Sequence, residues 1–399
     1  MLIIKEGVSD FNASFFLWKI CLGLLMLSYG CNSKQIDNTA IEGFDQKPEF
    51  TIFVEKDINV ENLFEINQIV PLEIDKENFL VDIYRLQVME DNFFLLDKVF
   101  GTLLRFSGDG RPMVKIGEFG SGPEETPDIA DFTLDRKEKE LILLSIEERS
   151  ISFFDLEGNF KRKIRLKNQS DMLSINQDRN LGMSITYFNE DFSNFELIDN
   201  SGKRIQTMFP FPQGVFPIGL KNISGHITRS HSGGFLYQEP ANSVIFEIKG
   251  NEAYPKYQFQ SRDHMWPGEK KHQLNEYFQE VASGKISFPT RFFEESEGHL
   301  FFGWNQRKRP SSQKVVDYRI GVFDKETKQT FITKECKLSG LMSGPMAVEG
   351  DSIYFIISMY NLMELSEEPI LEKHKHTMIQ IQKSKGDMDT PVLVKMKLK

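Results

Sequence analysis

Cysteine is scarce in this chain of 399 residues, which contains only three. Cys21 lies in an apolar stretch near the N-terminus, Cys31 follows that stretch, and Cys336 stands alone far downstream. A single downstream thiol can form neither an internal disulfide nor a cysteine-based zinc site. The sequence therefore argues against a disulfide-stapled fold, and it predicts no cysteine-based catalysis.

Basic charge is also in short supply. Lys and Arg together number 48 against 58 Asp and Glu, which gives a net charge of −10. Because a nucleic-acid-binding surface needs clustered positive charge, this balance argues against DNA or RNA as a partner. The one short basic run, residues 307–309, is interpreted as a solvated loop, with contact to an anionic partner as the alternative.

The longest apolar run near the N-terminus, residues 20–27, is too short to span a bilayer and fits the hydrophobic region of a signal peptide. It leads into Leu27-Ser28-Tyr29-Gly30-Cys31, which resembles a bacterial lipoprotein cleavage site, although Ser28 and Tyr29 depart from the usual pattern. We predict a signal peptide over residues 1–30, a lipid on Cys31 that anchors the chain to a membrane of the cell envelope, and a polar tether over 31–49. The alternative is an uncleaved anchor, or ordinary secretion with Cys31 unmodified.

Phenylalanine, in contrast, is abundant, with 35 residues that lie mostly in short alternating runs typical of strands. A turn recurs among these runs: an aromatic or aliphatic strand end, a polar stretch with Gly, then a polar or basic residue. Its copies lie at residues 106–111, 154–159, 198–203, 246–251, 323–328 and 381–386; the fifth copy has lost the glycine, and the sixth is stretched by one residue. The glycines of the first four copies are 44 to 48 residues apart, which fits one four-stranded propeller blade each.

The long interval between the fourth and fifth copies predicts an insertion. Residues 267–283 have a proline near the start, a glycine just past the end, and an apolar stripe formed by Leu274, Tyr277, Phe278 and Val281. This pattern predicts one amphipathic helix on a propeller face. The six turns predict an all-β, six-bladed β-propeller with four-stranded blades over residues 50–399. We expect the ring to be closed by a strand within residues 59–74 that pairs with the C-terminal strand at 392–396, because an open ring would expose sheet edges.

Several segments resemble a known family. They are Ile69-Val70-Pro71-Leu72-Glu73, the turn from Phe106 to Gly110-Arg111, the run from Ile116 to Gly120-Ser121-Gly122-Pro123-Glu124, and the strand start at residues 294–302. This pattern is similar to the six-bladed β-propeller lipoproteins of Bacteroidetes, which are related in shape to NHL-repeat propellers. The resemblance implies the fold; it implies no particular reaction, because fold does not fix function.

Residues around the predicted helix are the candidate ligand-binding group. Aromatic rings beside charged and amide side chains suit sugars or peptides, and the candidates are Asp263, His264, Trp266, Arg291 and Trp304. The alternative is that Trp266 fastens the helix to the propeller while the charged residues are solvated. No histidine pair has metal-ligand spacing, and the Gly117–Pro123 loop lacks the features of a phosphate cradle. We predict no metal and no cofactor.

Three functions are consistent with these features. The favoured one is a binding or scaffold module in the cell envelope, which recognises a protein, peptide or glycan through a propeller face. The second is an exported lyase or hydrolase with its site in the central channel, with or without a metal ion. The third is a structural subunit of an outer-membrane assembly.

Overall fold

The computed structural model describes residues 46–399 except 76–77, 118–119, 121, 123, 186, 188, 216–224, 308–315, 336–337, 339–345 and 386–387. The predicted signal peptide, Cys31, most of the predicted tether and Cys336 lie outside the described residues. The segment Gly43–Lys399 forms one compact unit. In the part of the chain that is described, no helix is long and apolar enough to cross a membrane.

The domain is a six-bladed β-propeller, as predicted. Three N-terminal strands precede the blades: β1 Phe50–Val54, β2 Asp57–Ile58 and β3 Phe64–Pro71. Blade 1 contains β4 Ile83–Met89, β5 Asn92–Asp97, β6 Thr102–Phe106 and β7 Pro112–Ile116. Blade 2 contains β8 Asp131–Asp135, β9 Glu140–Ser145, β10 Ser150–Asp155 and β11 Phe160–Arg165. Blade 3 contains β12 Ser170–Ile175, β13 Leu181–Ile185, β14 Ser193–Ile198 and β15 Arg204–Pro210.

The remaining blades incorporate the N-terminal strands. Blade 4 contains β16 His226–Arg229, β17 Phe235–Gln238, β18 Val244–Lys249 and β19 Glu252–Ser261, with β1 at its outer edge. Blade 5 contains β20 Phe288–Glu295, β21 His299–Arg307, β22 Val316–Asp324 and β23 Thr330–Thr333, with β2 at its outer edge. Blade 6 contains β24 Met346–Glu349, β25 Ser352–Ser358, β26 Pro391–Leu398 and then β3.

The ring is closed in the way the sequence predicts. The innermost strands β4, β8, β12, β16, β20 and β24 contact one another in a complete circle. In blade 6 the C-terminal strand β26 pairs antiparallel with the N-terminal strand β3, from Val392 opposite Pro71 to Leu398 opposite Phe64. Both ends of the domain therefore lie in one sheet, and no gap between first and last blade is left open.

Two N-terminal pairings were not predicted. β1 runs parallel to β19, with Phe50 opposite Tyr257, and β2 runs parallel to β23, with Asp57 opposite Ile332. Blades 4 and 5 are therefore five-stranded at their outer edges.

The prediction of a sixth copy of the recurring turn was wrong. The first five copies join the third and fourth strands of blades 1 to 5, and Gly110, Gly158 and Gly202 have φ of +87° to +89°, which favours glycine. Residues 381–385 instead belong to the helix Lys375–Lys385. Blade 6 has no such turn because its fourth strand, β3, comes from the other end of the domain. The correct blade number thus arises from five turns and one closing strand.

The predicted amphipathic helix is present between blades 4 and 5 as a 3-10 turn, Gly268–Lys270, and an α-helix, Leu274–Ala282. Leu274 and Tyr277 are buried, and Phe278 and Val281 pack partly buried beside them. Further helices were missed by sequence reasoning. They are Val60–Leu63, Met359–Glu364, the 3-10 helix Pro369–His374 and Lys375–Lys385. The last three lie between β25 and β26, and their Leu362, Leu371 and Met378 are buried in one apolar cluster.

The long connections gather on one side of the ring. The first-to-second and third-to-fourth strand turns, such as 230–234 and 250–251 in blade 4, define what we term the turn face. The second-to-third strand connections and the links between blades lie at the opposite end of the strands. The longest of these, 262–287 and 359–390, define what we term the insertion face. Long loops positioned on a rigid scaffold are the usual location of a binding site.

Candidate functional site

A cavity of about 260 Å³ opens on the insertion face between blades 4 and 5. It is lined by residues 225–226 at the start of β16, 238–242 in the β17–β18 turn, 277–278 in the inserted helix, 288–291 in β20, and 305 in β21. The inserted helix thus forms one wall, and strand ends of two neighbouring blades form the others.

Aromatic side chains supply the apolar part of the wall. Tyr277 and Phe278 lie edge to face with their ring centroids 5.1 Å apart, and Phe288 lies 6.1 Å from Tyr277. Trp266 packs behind them, 5.7 Å from Tyr277, and its Nε1 donates to the backbone oxygen of Lys270 at 3.0 Å. Since the indole of Trp266 is buried and its donor is used, it fixes the start of the insertion against the helix.

The β17–β18 turn presents a carboxylate to the cavity. Gln238 donates to the backbone oxygen of Asn242 at 2.7 Å, and Ala241 has φ +56°, a left-handed conformation that is unfavourable for a residue with a Cβ. Glu239 is 2% exposed, and its Oε2 accepts from Lys271 Nζ at 2.6 Å and from Asn242 Nδ2 at 3.1 Å. Its Oε1 is buried and accepts no hydrogen bond from the described residues. The turn therefore holds a rigid acceptor whose second oxygen is unsatisfied.

His226 supplies a second unsatisfied atom. It lies opposite Gln238 in the β16–β17 pair, and its ring stands edge to face with Phe293 at 4.7 Å. Its Nδ1 is buried with no hydrogen-bond partner among the described residues. Burial, together with the positive charges of Arg85 and Arg291, lowers the pKa of His226 well below its usual value. The imidazole is therefore neutral at pH 7.

Ionisable side chains also meet where the innermost strands converge. Arg85 on β4 donates to Asp131 on β8 at 2.5 Å, and Asp131 also accepts from the backbone N–H of Leu173 at 2.9 Å. On the opposite blades, Thr228 Oγ1 donates to Glu294 Oε2 at 2.8 Å. Burial raises the pKa of Glu294 above its usual value, and the bond from Thr228 and the charge of Arg85 offset only part of that shift.

Beneath the cavity, on the turn face, one lysine joins blades 4 and 5. Lys256 Nζ lies 2.9 Å from Glu247 Oε1 and 2.8 Å from Glu295 Oε1. Glu295 also accepts from Tyr257 Oη at 2.5 Å and from the backbone N–H of His231 at 2.9 Å. We term these side chains, Glu247, Lys256, Tyr257 and Glu295, the Lys256 cluster. Because the cluster ties together the two blades that wall the cavity, it fixes their separation.

The structure places one of the five predicted ligand-binding residues in the cavity wall. Arg291 lines the cavity and is exposed. His264 is exposed, and its backbone oxygen accepts from Ser287 N at 2.9 Å, while Asp263 is half-buried in the same connection. The indole of Trp304 is fully buried in the core between blades 4 and 5, and its Nε1 donates to Gln306. Trp266 and Trp304 therefore present no open ring face to a ligand.

Sequence reasoning missed His226 and Glu239 as cavity residues. His226 follows Gly225 in an ordinary strand start, and Glu239 precedes Pro240 in an ordinary turn. Neither has a spacing that indicates a site, since the two come to the same cavity wall only through the pairing of β16 with β17. Tyr277 and Phe278 of the predicted helix stripe and the predicted ligand-binding residue Arg291 are the sequence signals that pointed to this wall.

Two other candidates from the sequence have a plain structural role or lie partly outside the described residues. In the described part of the Gly117–Pro123 loop, Glu125 Oε2 accepts from the backbone N–H of Gly122 at 2.8 Å, so a carboxylate of the chain itself uses that donor. Of the basic run 307–309, only Arg307 is described. Across the described residues, no group of three or more His, Cys, Asp or Glu side chains is placed to hold a metal ion.

The fold and the cavity together define a class of protein, a six-bladed β-propeller with a ligand-sized pocket on its insertion face. The chain belongs to the DUF4934 family, described as a domain of unknown function, whose profile matches residues 49–397. No protein of curated function matches the chain in sequence.

Solved structures share the fold. A candidate exported protein from Bacteroides fragilis NCTC 9343 is 16% identical, with a TM-score of 0.67 over 88% of this chain and 99% of that one. A member of the DUF4221 family from Bacteroides vulgatus is 11% identical, with a TM-score of 0.56 over 85% of this chain and 99% of that one.

Proposed function

We propose that this protein is a binding module of the cell envelope, anchored by a lipid on Cys31, that takes a small ligand or the end of a peptide or glycan chain in its insertion-face cavity. One observation carries the proposal. The cavity wall combines aromatic rings with buried polar atoms of His226 and Glu239 that have no hydrogen-bond partner among the described residues. A buried polar atom left unpaired is unfavourable, so a ligand that pairs with it gains affinity.

The size of the cavity supports a small ligand. A cavity of about 150 Å³ holds benzene, and pockets for drug-sized molecules begin at about 300 Å³. At about 260 Å³, this cavity matches one amino acid or one sugar unit rather than a long chain or a flat protein surface. A longer partner would therefore insert only its end.

The location in the envelope rests on the sequence. Residues 20–27 followed by Gly30-Cys31 support export and lipid attachment. The likeness to a candidate exported protein from Bacteroides fragilis agrees with this. Metabolic labelling with a radioactive fatty acid tests it: label in the native protein and none in Cys31→Ser supports the anchor. Equal labelling of both proteins overturns it.

Ligand binding is tested by thermal unfolding of the detergent-purified full chain against a panel of amino acids, short peptides and glycans. A ligand at a hundred times its dissociation constant stabilises by about 2.7 kcal/mol, which raises the melting temperature by several degrees. Phe278→Ala removes one aromatic wall and should abolish the shift, whereas Phe53→Ala, an exposed ring on β1, should leave it intact. An equal shift in both variants would place the ligand elsewhere.

A second candidate function, a lyase or hydrolase acting at the central channel, is favoured by one pair of residues. His226 and Glu294 lie on neighbouring innermost strands, and their environments shift their pKa values in opposite directions, which suits a base and an acid. If the ligand that binds is consumed, Glu294→Gln should slow its conversion without weakening its binding. Binding without any conversion favours the module over the enzyme.

A further inference from the structure

We infer that the cavity is a site for a primary ammonium group next to an apolar side chain, as in a free amino acid or the first residue of a peptide. This inference rests on the proposed binding function and names the chemistry that the cavity recognises. It depends on the hydrogen-bonding types of two buried atoms, on the charges in the wall and on the aromatic side chains.

The two buried atoms without a partner among the described residues, Glu239 Oε1 and His226 Nδ1, need hydrogen-bond donors. Glu239 Oε1 is a carboxylate oxygen, which only accepts, and it is buried without a donor among the described residues. A neutral His226 accepts through whichever ring nitrogen carries no proton, and its Nδ1 is also buried and unpartnered. An ammonium group has three donors and no acceptor. An ammonium group therefore supplies the kind of donor that both residues lack, whereas a sugar hydroxyl donates only once.

The charges in the wall indicate a zwitterion rather than a simple cation. Glu239 brings a negative charge; its Oε2 is paired with the ammonium group of Lys271 at 2.6 Å and with Asn242, and its Oε1 has no partner among the described residues. Arg291 brings a positive charge to the β20 side of the same cavity. A ligand with an ammonium group near Glu239 and a carboxylate or carbonyl oxygen near Arg291 matches both, since guanidinium groups favour carboxylate oxygens.

The apolar wall accounts for the rest of the ligand. Tyr277, Phe278 and Phe288 surround space that an aliphatic or aromatic side chain would fill. Burying such a side chain contributes favourably through the area it removes from water. A leucine-sized residue therefore combines the three features that the wall presents.

Isothermal titration calorimetry on the detergent-purified full chain tests this with four matched probes. L-Leucine should bind, and N-acetyl-L-leucine, which lacks the ammonium group, should bind at least about tenfold more weakly. L-Leucinamide distinguishes a free amino acid from a peptide N-terminus as the source of the ammonium group. If L-leucinamide does not bind, the ligand is a free amino acid. If both L-leucinamide and the dipeptide Leu-Gly bind, the ligand is a peptide N-terminus. No heat from any ammonium-bearing probe at millimolar concentration overturns the inference.

Variants locate the site. Glu239→Gln keeps the shape but removes the charge and should weaken L-leucine binding at least about tenfold, whereas Glu269→Gln, an exposed change within the insertion 262–287, should not. If Glu239→Gln does not fold, Arg291→Gln at an exposed position replaces it, with Arg262→Gln as its control. Unchanged affinity in the folded cavity variant overturns the assignment.

Failure of the inference is distinguishable from failure of the proposed function. A glycan or an N-blocked peptide whose thermal shift is lost in Phe278→Ala leaves the cavity as a binding site but overturns the ammonium group. Absence of any shift with the whole panel, together with no heat from the amines, overturns both.

Discussion

Replacing Lys256 by methionine should destabilise the propeller by about 1.5 to 3 kcal/mol at pH 7, because it removes one of the two cations beside each of two buried carboxylates. Lys256 and Glu247 are both buried, and Glu295 is fully inaccessible at its side chain. Two unit charges at 2.8 Å attract by roughly 6 kcal/mol at an effective dielectric constant of about 20, and the loss of both contacts exceeds the desolvation that Lys256 itself no longer suffers. Lys325 at 3.3 Å and the donors of Tyr257 and His231 remain on Glu295, and Lys249 remains 2.9 Å from Glu247. These contacts limit the loss.

The effect should depend on pH with a definite sign. Burial alone would raise the pKa of Glu247. Hydrogen bonds from Lys249, Lys256 and nearby serines outweigh that effect and lower the pKa from its usual 4.5 to about 2. A lowered folded-state pKa contributes stability above pH 4.5 that disappears as the pH falls towards 2. Without Lys256 that pKa rises, so less stability is lost on acidification. The native protein and Lys256→Met should therefore converge in stability between pH 4.5 and pH 2.

Equilibrium unfolding in urea, followed by circular dichroism at pH 7 and at pH 3, measures both effects. Lys161→Met, which removes a half-exposed pair with Glu140 at 3.1 Å, is the matched control and should cost less than about 1 kcal/mol. A difference below about 1 kcal/mol for Lys256→Met at pH 7 would refute the reasoning. So would a difference that stays constant with pH.

Three shorter predictions follow from single positions. Ala241→Gly should raise the free energy of unfolding by up to about 1 kcal/mol, because glycine adopts φ +56° without strain; urea unfolding measures it, and a destabilised variant would contradict it. Gly110→Ala should lower stability, since a Cβ there lies 2.2 Å from the backbone oxygen of Pro71 at φ +87°; Gly250→Ala, with open space around it, should cost less in the same assay. Trp266→Ala should release the insertion, so that limited proteolysis cuts within 262–287 while the far-ultraviolet spectrum persists; uncut protein would mean that the helix is held without the indole.

The propeller was predictable because its local signals repeat. The turn between the third and fourth strands requires a residue with positive φ, which glycine adopts without strain. The fifth copy has lost the glycine, and there Lys328 has φ +60°. The false sixth copy shows the limit of such a signal. Residues 381–385 resemble a turn in composition, yet Ile381 packs with Met378 in a helix, and only the tertiary contacts of blade 6 decide between the two.

Strand pairings between distant parts of the chain could not be predicted from the sequence. No pattern in residues 50–58 predicts that they add parallel strands to blades 4 and 5, because any free sheet edge accepts an extended segment equally well. The cavity could not be predicted for the same reason. Arg291 was found because it lies beside the inserted helix. His226 and Glu239 come to the same cavity wall only when β16 pairs with β17, and isolated polar residues at strand ends do not indicate that pairing.

The direction of β1 determines from which side the chain reaches the propeller. Because β1 runs parallel to β19, the chain comes into blade 4 at the turn-face end, with Phe50 beside Tyr257, and leaves towards the insertion face at Val54 opposite Ser261. Glu49 N donates to the backbone oxygen of Pro255 at 3.2 Å, two residues nearer the turn face than Tyr257. The described residues that lead into β1 therefore join blade 4 from the side of the Lys256 cluster, and the cavity opens at the other end of the same strands.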